Sequence, residues 1–290
     1  MPFRNIIIDS RCKLEYSLNY LVCRKVEEEK KVLLDEIKTI IITSTQVSLT
    51  TSLISEISNH KIKLIFCDEC HKPTCEIVPY QNNFYSYRKI KEQIALDDNI
   101  KAYLRKQIIQ KKILNQAFNL KIKSKIDSYE KLIEYSKEIT DGDLTNREGH
   151  SAKVYFNALF GTKYSRELDC NINMFLNYGY SILVSTISCE IKMLGYLTEL
   201  GIHHIGESNS FNLSYDFVEP LRPLVDLHVI KNLVNEENFK TKFIEMLSLN
   251  VKYNDKEILL SNAMHLYIED LMDFLKNGDV TKIKFIEYEL

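Results

Sequence analysis

The stretch GIHHIGESNSFNLSYDFVEP, residues 201–220, sets His203 and His204 ahead of Asp216 and Glu219, with a polar, asparagine-bearing loop between them. Imidazole and carboxylate this close in sequence have two common uses, a metal site or a hydrogen-bonded turn. His204 lies just past the end of one helical pattern, and the chain re-enters a helix near Ser214. Asp216 and Glu219 then sit on the first turn of that helix, on roughly one face. Pro220 and Pro223 fall early enough to be tolerated there. One imidazole with two or three carboxylates suits Mg2+ or Mn2+, hard ions that prefer oxygen, accept a histidine and keep waters. By themselves these residues leave the donor set incomplete.

Glu148 would complete it. The stretch TNREGHSAKVYFNALFG, residues 145–161, opens with Thr145-x-x-Glu148, which fits a helix capping box and gives the glutamate a purely local role. The helix that follows turns Val154, Leu159 and Phe160 inward and leaves Arg147, His150 and Lys153 near its start. A carboxylate among basic groups at a helix N-terminus is also a setting for metal and phosphate together. The residues alone leave both uses open.

A louder pattern, FCDECHKPTC at 66–75, holds Cys67-x-x-Cys70-His71 with Cys75 four residues on. Haem attachment at such a pattern requires export, and nothing near the N-terminus resembles a signal peptide. Zinc would need four ligands, but adjacent Cys70 and His71 rarely reach one tetrahedral ion together, and no second cysteine pair follows. A zinc or redox protein using Cys67, Cys70 and Cys75 is therefore the lesser alternative. The plainer reading is a buried strand end with cysteines serving as small hydrophobes.

The elements that must carry these groups have two textures. Residues 1–80 read as short strands: FRNIIID, EIKTIIIT and IKLIFCD are strand-length apolar runs, and CKLEYSLNYLVCRK alternates about a Leu18–Asn19 turn. One helix, behind a threonine cap, lies within TTSLISEISNHK. Residues 81–87 read as a linker. From 88 to 290 the period becomes helical, and no proline occurs between Pro79 and Pro220. FLNYGYSILVSTISCEIKMLGYLTEL reads as a long core helix ending at Gly201, with Glu190 and Lys192 marking it as no membrane span. The expected fold class is α+β, a small β domain followed by a larger all-α domain. With 45% hydrophobic and 27% charged residues the composition is that of a globular protein, and a cytoplasmic location with reduced thiols is expected. The net charge of −2 hides one basic stretch. Between Lys101 and Ile126 there are eight lysines and arginines, Lys111 and Lys112 among them, and no acid. It reads either as a solvated face or as a surface for phosphates.

NREGHSAKVYFNALFG together with LGIHHIGESNSFNLSYDFVEPLRPLVD resembles the CRISPR-associated integrase Cas1 in its type II form, most closely II-A. The likeness extends from LTTSLISEISNHKIKLIFCDECHKPT through QKKILNQAFNL to LSLNVKYNDKEILLSNAM, nearly the whole chain. The resemblance implies metal ligands at Glu148, His204 and Glu219. His204 is chosen over His203 because the family's histidine stands third after the glycine, here Gly201, and Asp216 matches a further acid that supports the ligands. Glu219 stands where many relatives carry aspartate. The implied activity is a metal-dependent endonuclease and integrase that inserts spacer DNA into a CRISPR array, with Mg2+ or Mn2+ as cofactor. The implied partners are double-stranded DNA (prespacer and leader–repeat), a second copy through the β domain, and the small Cas2 protein in a four-to-two assembly. They extend to other type II acquisition proteins and the Cas9 effector; none is a membrane. Arg147, Lys153 and Arg222 are candidates for holding phosphates, with Lys111 and Lys112 on the basic stretch, although Arg222 could instead pair with Asp226 four residues on. The remaining alternative is a DNA-binding scaffold that does no chemistry.

Overall fold

The structure, a computed structural model, describes residues 4–69, 73–77, 86–232 and 239–288. The first part contains β1 (Arg4–Ile8), β2 (Cys12–Ser17), β3 (Tyr20–Arg24), β4 (Glu29–Leu33), β5 (Ile37–Ile42), β6 (Val47–Leu49), α1 (Thr51–Asn59), β7 (Lys63–Cys67) and β8 (Pro73–Ile77). They form two four-stranded sheets, ordered β1-β5-β7-β8 and β4-β3-β2-β6. The β2–β3 hairpin turns at Leu18 and Asn19, both with positive φ as a two-residue turn of matching twist requires. Thr50 caps α1 by accepting from Leu53 N.

Strands β1, β5 and β7 pair in parallel, and the interior ones are buried on both faces, which is why they read as continuous β-branched runs rather than alternating ones. Successive side chains nevertheless go to different cores. Ile40, Ile42 and Leu64 pack with Leu14, Leu21, Leu53 and Ile57. Ile41 and Ile65 pack on the other side with helical residues such as Leu183 and Ile187. One sheet thus serves two cores, and the helical part is built on its outer face.

That part comprises α2 (Ser86–Ile94), α3 (Asp98–Ile122), α4 (Ile126–Lys137), α5 (Arg147–Phe160), α6 (Asn171–Met193), α7 (Asn212–Val218), α8 (Arg222–Asn232), α9 (Phe239–Glu245) and α10 (Leu260–Asn277). It is not all-α. Strands β9 (Asn250–Tyr253) and β10 (Lys256–Leu259) form a hairpin whose turn, Asn254–Asp255, again has positive φ at both residues. The α+β class holds, with this hairpin as the correction to the helical half. Residues 81–85 of the expected linker lie outside the described residues, and Ser86 and Tyr87 already belong to α2. Asp97 caps α3 through its carboxylate and so breaks what reads as one helical run into two.

The long core helix α6 also ends sooner than expected. Gly195, at φ 85°, closes it, with Gly195 N donating to Lys192 O and Tyr196 N to Ile191 O. These are the paired bonds of a glycine-terminated helix, so Gly201 is free for another task. The two charges within α6 both bind it to the sheet. Lys192 pairs with Glu76 of β8 at 2.6 Å. Glu190 meets Lys63 of β7, Lys38 of β5 and His265 of α10. Among the described residues no helix is long and apolar enough to cross a membrane.

Candidate active site

Helix α3 runs past the start of α5 and past the corner between α7 and α8, and the candidate residues meet along it. At the start of α5, Gly142 and Asp143 both take positive φ, which turns the Asp143 carboxylate beneath the helix. It accepts from Arg147 N at 2.8 Å and Glu148 N at 2.9 Å. Asn146 is the N-cap and accepts from Gly149 N. The expected capping box is therefore absent. Asp143 and Asn146 satisfy the amides, and the Glu148 carboxylate is released to face α3. There Lys112 Nζ lies 2.6 Å from Glu148 Oε1, and Arg105 Nη2 lies 3.4 Å from Oε2.

Glu219 opens the short 3₁₀ turn Glu219–Leu221 between α7 and α8, with its side chain only 7% exposed. Lys112 Nζ lies 2.5 Å from its Oε2, and Arg222 Nε lies 3.0 Å from its Oε1. Arg222 therefore pairs with Glu219. Asp226, the other option, accepts from the Tyr180 hydroxyl, and burial pushes its carboxyl up to about 6. The Arg222 guanidinium lies over the rings of Tyr180 and Tyr215, at 4.9 and 5.9 Å, which hold its plane. Helix α3 also secures the corner from below: Asn115 donates to Pro220 O and Asn119 to Pro223 O, each at 2.7 Å.

The loop before α7 brings in the histidine. Buried Asp216 accepts from the backbone amides of Ile202, His203 and His204 and, at 2.7 Å, from His204 Nδ1. This bond fixes the ring and its tautomer, leaving Nε2 with a lone pair; His203 is exposed. Gly201 permits the wrap. A Cβ there would lie 2.2 Å from His204 O and 2.9 Å from Asp216 Oδ2. Gly201→Ala should cost about 1–3 kcal/mol in chemical denaturation, as an added carbon in a packed site does. The amides of 202–204 should also lose hydrogen-exchange protection; unchanged protection would mean that the loop does not depend on this glycine.

Electrostatics bind the groups together. The Asp216 bond raises the His204 pKa against the opposing effect of burial, and Glu219 and Glu148 add to the rise. Burial alone would push the Glu219 carboxyl up, but Lys112 and Arg222 outweigh it and hold it below the ordinary range. Burial likewise opposes the Lys112 ammonium, and Glu219 and Glu148 more than restore it. Both carboxylates thus lie against one cation.

The donor set fits a hard divalent cation. Two carboxylates from different elements each put an oxygen against one nitrogen, so their spacing already suits a shared cation. Glu219 Oε2, set against the Lys112 ammonium, is the buried oxygen that a cation at that position would meet. Among the described residues no three His, Cys, Asp or Glu side chains converge closely enough to hold an ion as they stand. Lys112 lies between the carboxylates.

The phosphate candidates are redistributed. Lys112 does not lie on an exposed face: its side chain is 12% exposed and lies in the site. Lys111 is half-buried near Glu287, and burial pulls its pKa down. Arg147 pairs with Glu138 and lies over Tyr135. Lys153 is exposed on α5. A basic stretch is not a basic face, because a helix crossing the core turns successive lysines to different neighbours. Lys101 pairs with Asp98 and Lys106 with Asp141, while Lys121, Lys123 and Lys125 are exposed. Sequence reasoning missed Arg105 and the inward role of Lys112. Their seven-residue spacing, two helical turns, was the available signal, continued by Asn115 and Asn119. Cys67 sits in the apolar core with its thiol pushed up to about 12 by burial, and Cys75 is exposed. Cys70 lies outside the described residues.

The family model described as CRISPR associated protein Cas1 matches residues 6–260. A CRISPR-associated endonuclease Cas1 of Neisseria meningitidis serogroup C (strain 8013) is 35% identical over 230 residues, which cover 79% of this chain and 76% of that protein. A solved casposase bound to integration product has a TM-score of 0.78 at 20% identity, covering 99% of this chain and 94% of that one. A Cas6-RT-Cas1–Cas2 complex gives a TM-score of 0.75 at 16% identity, covering 99% of this chain and 36% of the other, longer chain. At such identities the two structures speak for the fold alone.

Proposed function

The chain belongs to the CRISPR-associated protein Cas1 family, and on that premise we propose that it is a divalent-metal-dependent DNA integrase and endonuclease of spacer acquisition. The observation that carries the reading is the meeting of Glu148 and Glu219, from separate helices, at one cationic position. Beside them His204 is turned by Asp216 so that Nε2 is free.

The reaction is a transesterification. The 3′-oxygen of a DNA fragment forms a bond to the phosphorus of a phosphodiester bordering the repeat, and the bond from that phosphorus to the target strand's 3′-oxygen breaks. The proton of the attacking hydroxyl is balanced by one taken up at the leaving oxygen. With water in place of the 3′-hydroxyl the same exchange is hydrolysis, the endonuclease activity. Mg2+ or Mn2+, when bound by Glu148, His204 and Glu219, supplies Lewis-acid stabilisation of the charge on the scissile phosphate. Asp216 sets the imidazole orientation. Arg222, held by Tyr180 and Tyr215, keeps Glu219 in place, and exposed Lys153 is a contact for a neighbouring phosphate.

The partners follow the same reading. Residues 1–80 form the dimerisation part and residues 88–290 the catalytic part, and two dimers flank a Cas2 dimer with DNA across the assembly. The motif resemblance supports a type II form, acting with further acquisition proteins and Cas9. The test is strand transfer with Cas2, a labelled 3′-hydroxyl duplex and a supercoiled plasmid carrying leader and repeat. Joined product should form in Mn2+ and not in EDTA. Duplex that is bound but never joined in Mn2+ would replace this reading with the DNA scaffold.

A further inference from the structure

We propose that Lys112 is a resident counter-ion that couples loading of the divalent-ion site to DNA binding, an inference that rests on the metal reading above. Its ammonium lies within 2.6 Å of Glu148 Oε1 and 2.5 Å of Glu219 Oε2. The outer oxygens of the same carboxylates face Arg105 and Arg222. Without an internal cation two carboxylates this close would repel each other in a poorly solvated setting. Lys112 therefore keeps the site assembled before any ion arrives. The contact also blocks the ion, because an ammonium and a divalent cation repel each other strongly at such range. Loading requires the ammonium to leave.

The lysine stem can swing, and Arg105 and Arg222 stay to brace the carboxylates, but a displaced ammonium needs a new anion. A DNA phosphodiester at the mouth of the site provides it. The ion then binds weakly to the free protein and more tightly to the protein–DNA complex. By linkage the ion must tighten DNA binding by the same factor. Metal binding is in this way confined to the state that holds substrate, which limits hydrolysis in its absence.

The test measures Mn2+ affinity by titration calorimetry, with and without a duplex ended in 3′-dideoxynucleotides so that no joining occurs. Without DNA, Lys112→Met should bind Mn2+ at least about tenfold more tightly than wild type, within the usual range of coupling between sites. Wild type should gain at least about tenfold on adding duplex, and Lys112→Met should gain clearly less. Lys112→Arg, which keeps the charge, should behave as wild type. Lys112→Met binding Mn2+ no more tightly than wild type without DNA would overturn the proposal. If Lys112→Met fails to fold, wild type decides: Mn2+ affinity that the duplex leaves unchanged overturns it equally. Mn2+ binding lost in Glu219→Gln alongside a negative result for Lys112 would leave the metal reading standing. Mn2+ binding untouched by Glu148→Gln, His204→Ala and Glu219→Gln would remove the metal reading itself.

Discussion

Glu219→Gln should lower strand transfer about a thousandfold or more, the factor that several kcal/mol of lost transition-state stabilisation gives. Glutamine keeps the size of the side chain and an oxygen facing Arg222, so the 3₁₀ corner and its bonds to Asn115 and Asn119 should survive. What disappears is the negative charge at Oε2, the oxygen that faces Lys112. Glu148→Gln and His204→Ala should behave alike, because the three groups act on one ion and their losses do not add. Initial rates of joining in Mn2+ measure the effect, and mobility shifts of labelled duplex show that DNA is still bound. Rates above a tenth of wild type in all three variants would remove these residues from the chemistry.

The largest effect on stability is expected far from the site. Glu190 is 2% exposed at the junction of sheet and helices, where it pairs with Lys63, also 2% exposed, and faces Lys38 and His265. Glu190→Gln leaves buried Lys63 and the partly buried Lys38 without the carboxylate that both face, and should cost about 3–5 kcal/mol. The denaturation midpoint should fall with little change in slope. Burial alone would raise this carboxyl, but Lys63, His265 and Lys38 bring it from 4.5 to about 2. A carboxyl depressed in the folded state stabilises above its unfolded pKa. The contribution is thus complete above pH 4.5 and lost as pH falls toward 2, so wild type and Glu190→Gln should converge across that interval. A variant within about 1 kcal/mol of wild type at neutral pH would show that the cluster adds little, as happens when desolvation cancels the attraction.

Where a signal was local, the sequence carried it. Leu18–Asn19 marks a hairpin and Thr50 a helix start because turn and cap geometry depend on residues within one turn of the chain. The Asn254–Asp255 hairpin had the same kind of signal, with alternating residues on both sides, and was obscured by the helical texture around it. The helix end was misplaced because Gly195 and Gly201 are equivalent as residue types. Only backbone geometry shows that one closes α6 and the other makes room for Asp216.

The sequence by itself determined the kinds of groups available, a strand-rich beginning and helical remainder, and a histidine with carboxylates at spacings that resemble one family. Tertiary structure decided who meets whom. Lys112 lies 36 residues from Glu148, and Asn115 lies 105 residues from Pro220. No periodicity spans such separations, because periodicity describes one helix or strand at a time. Which face of α3 turns inward depends on the apolar area that its neighbours must bury, and that choice placed Lys112 between the carboxylates instead of in solvent.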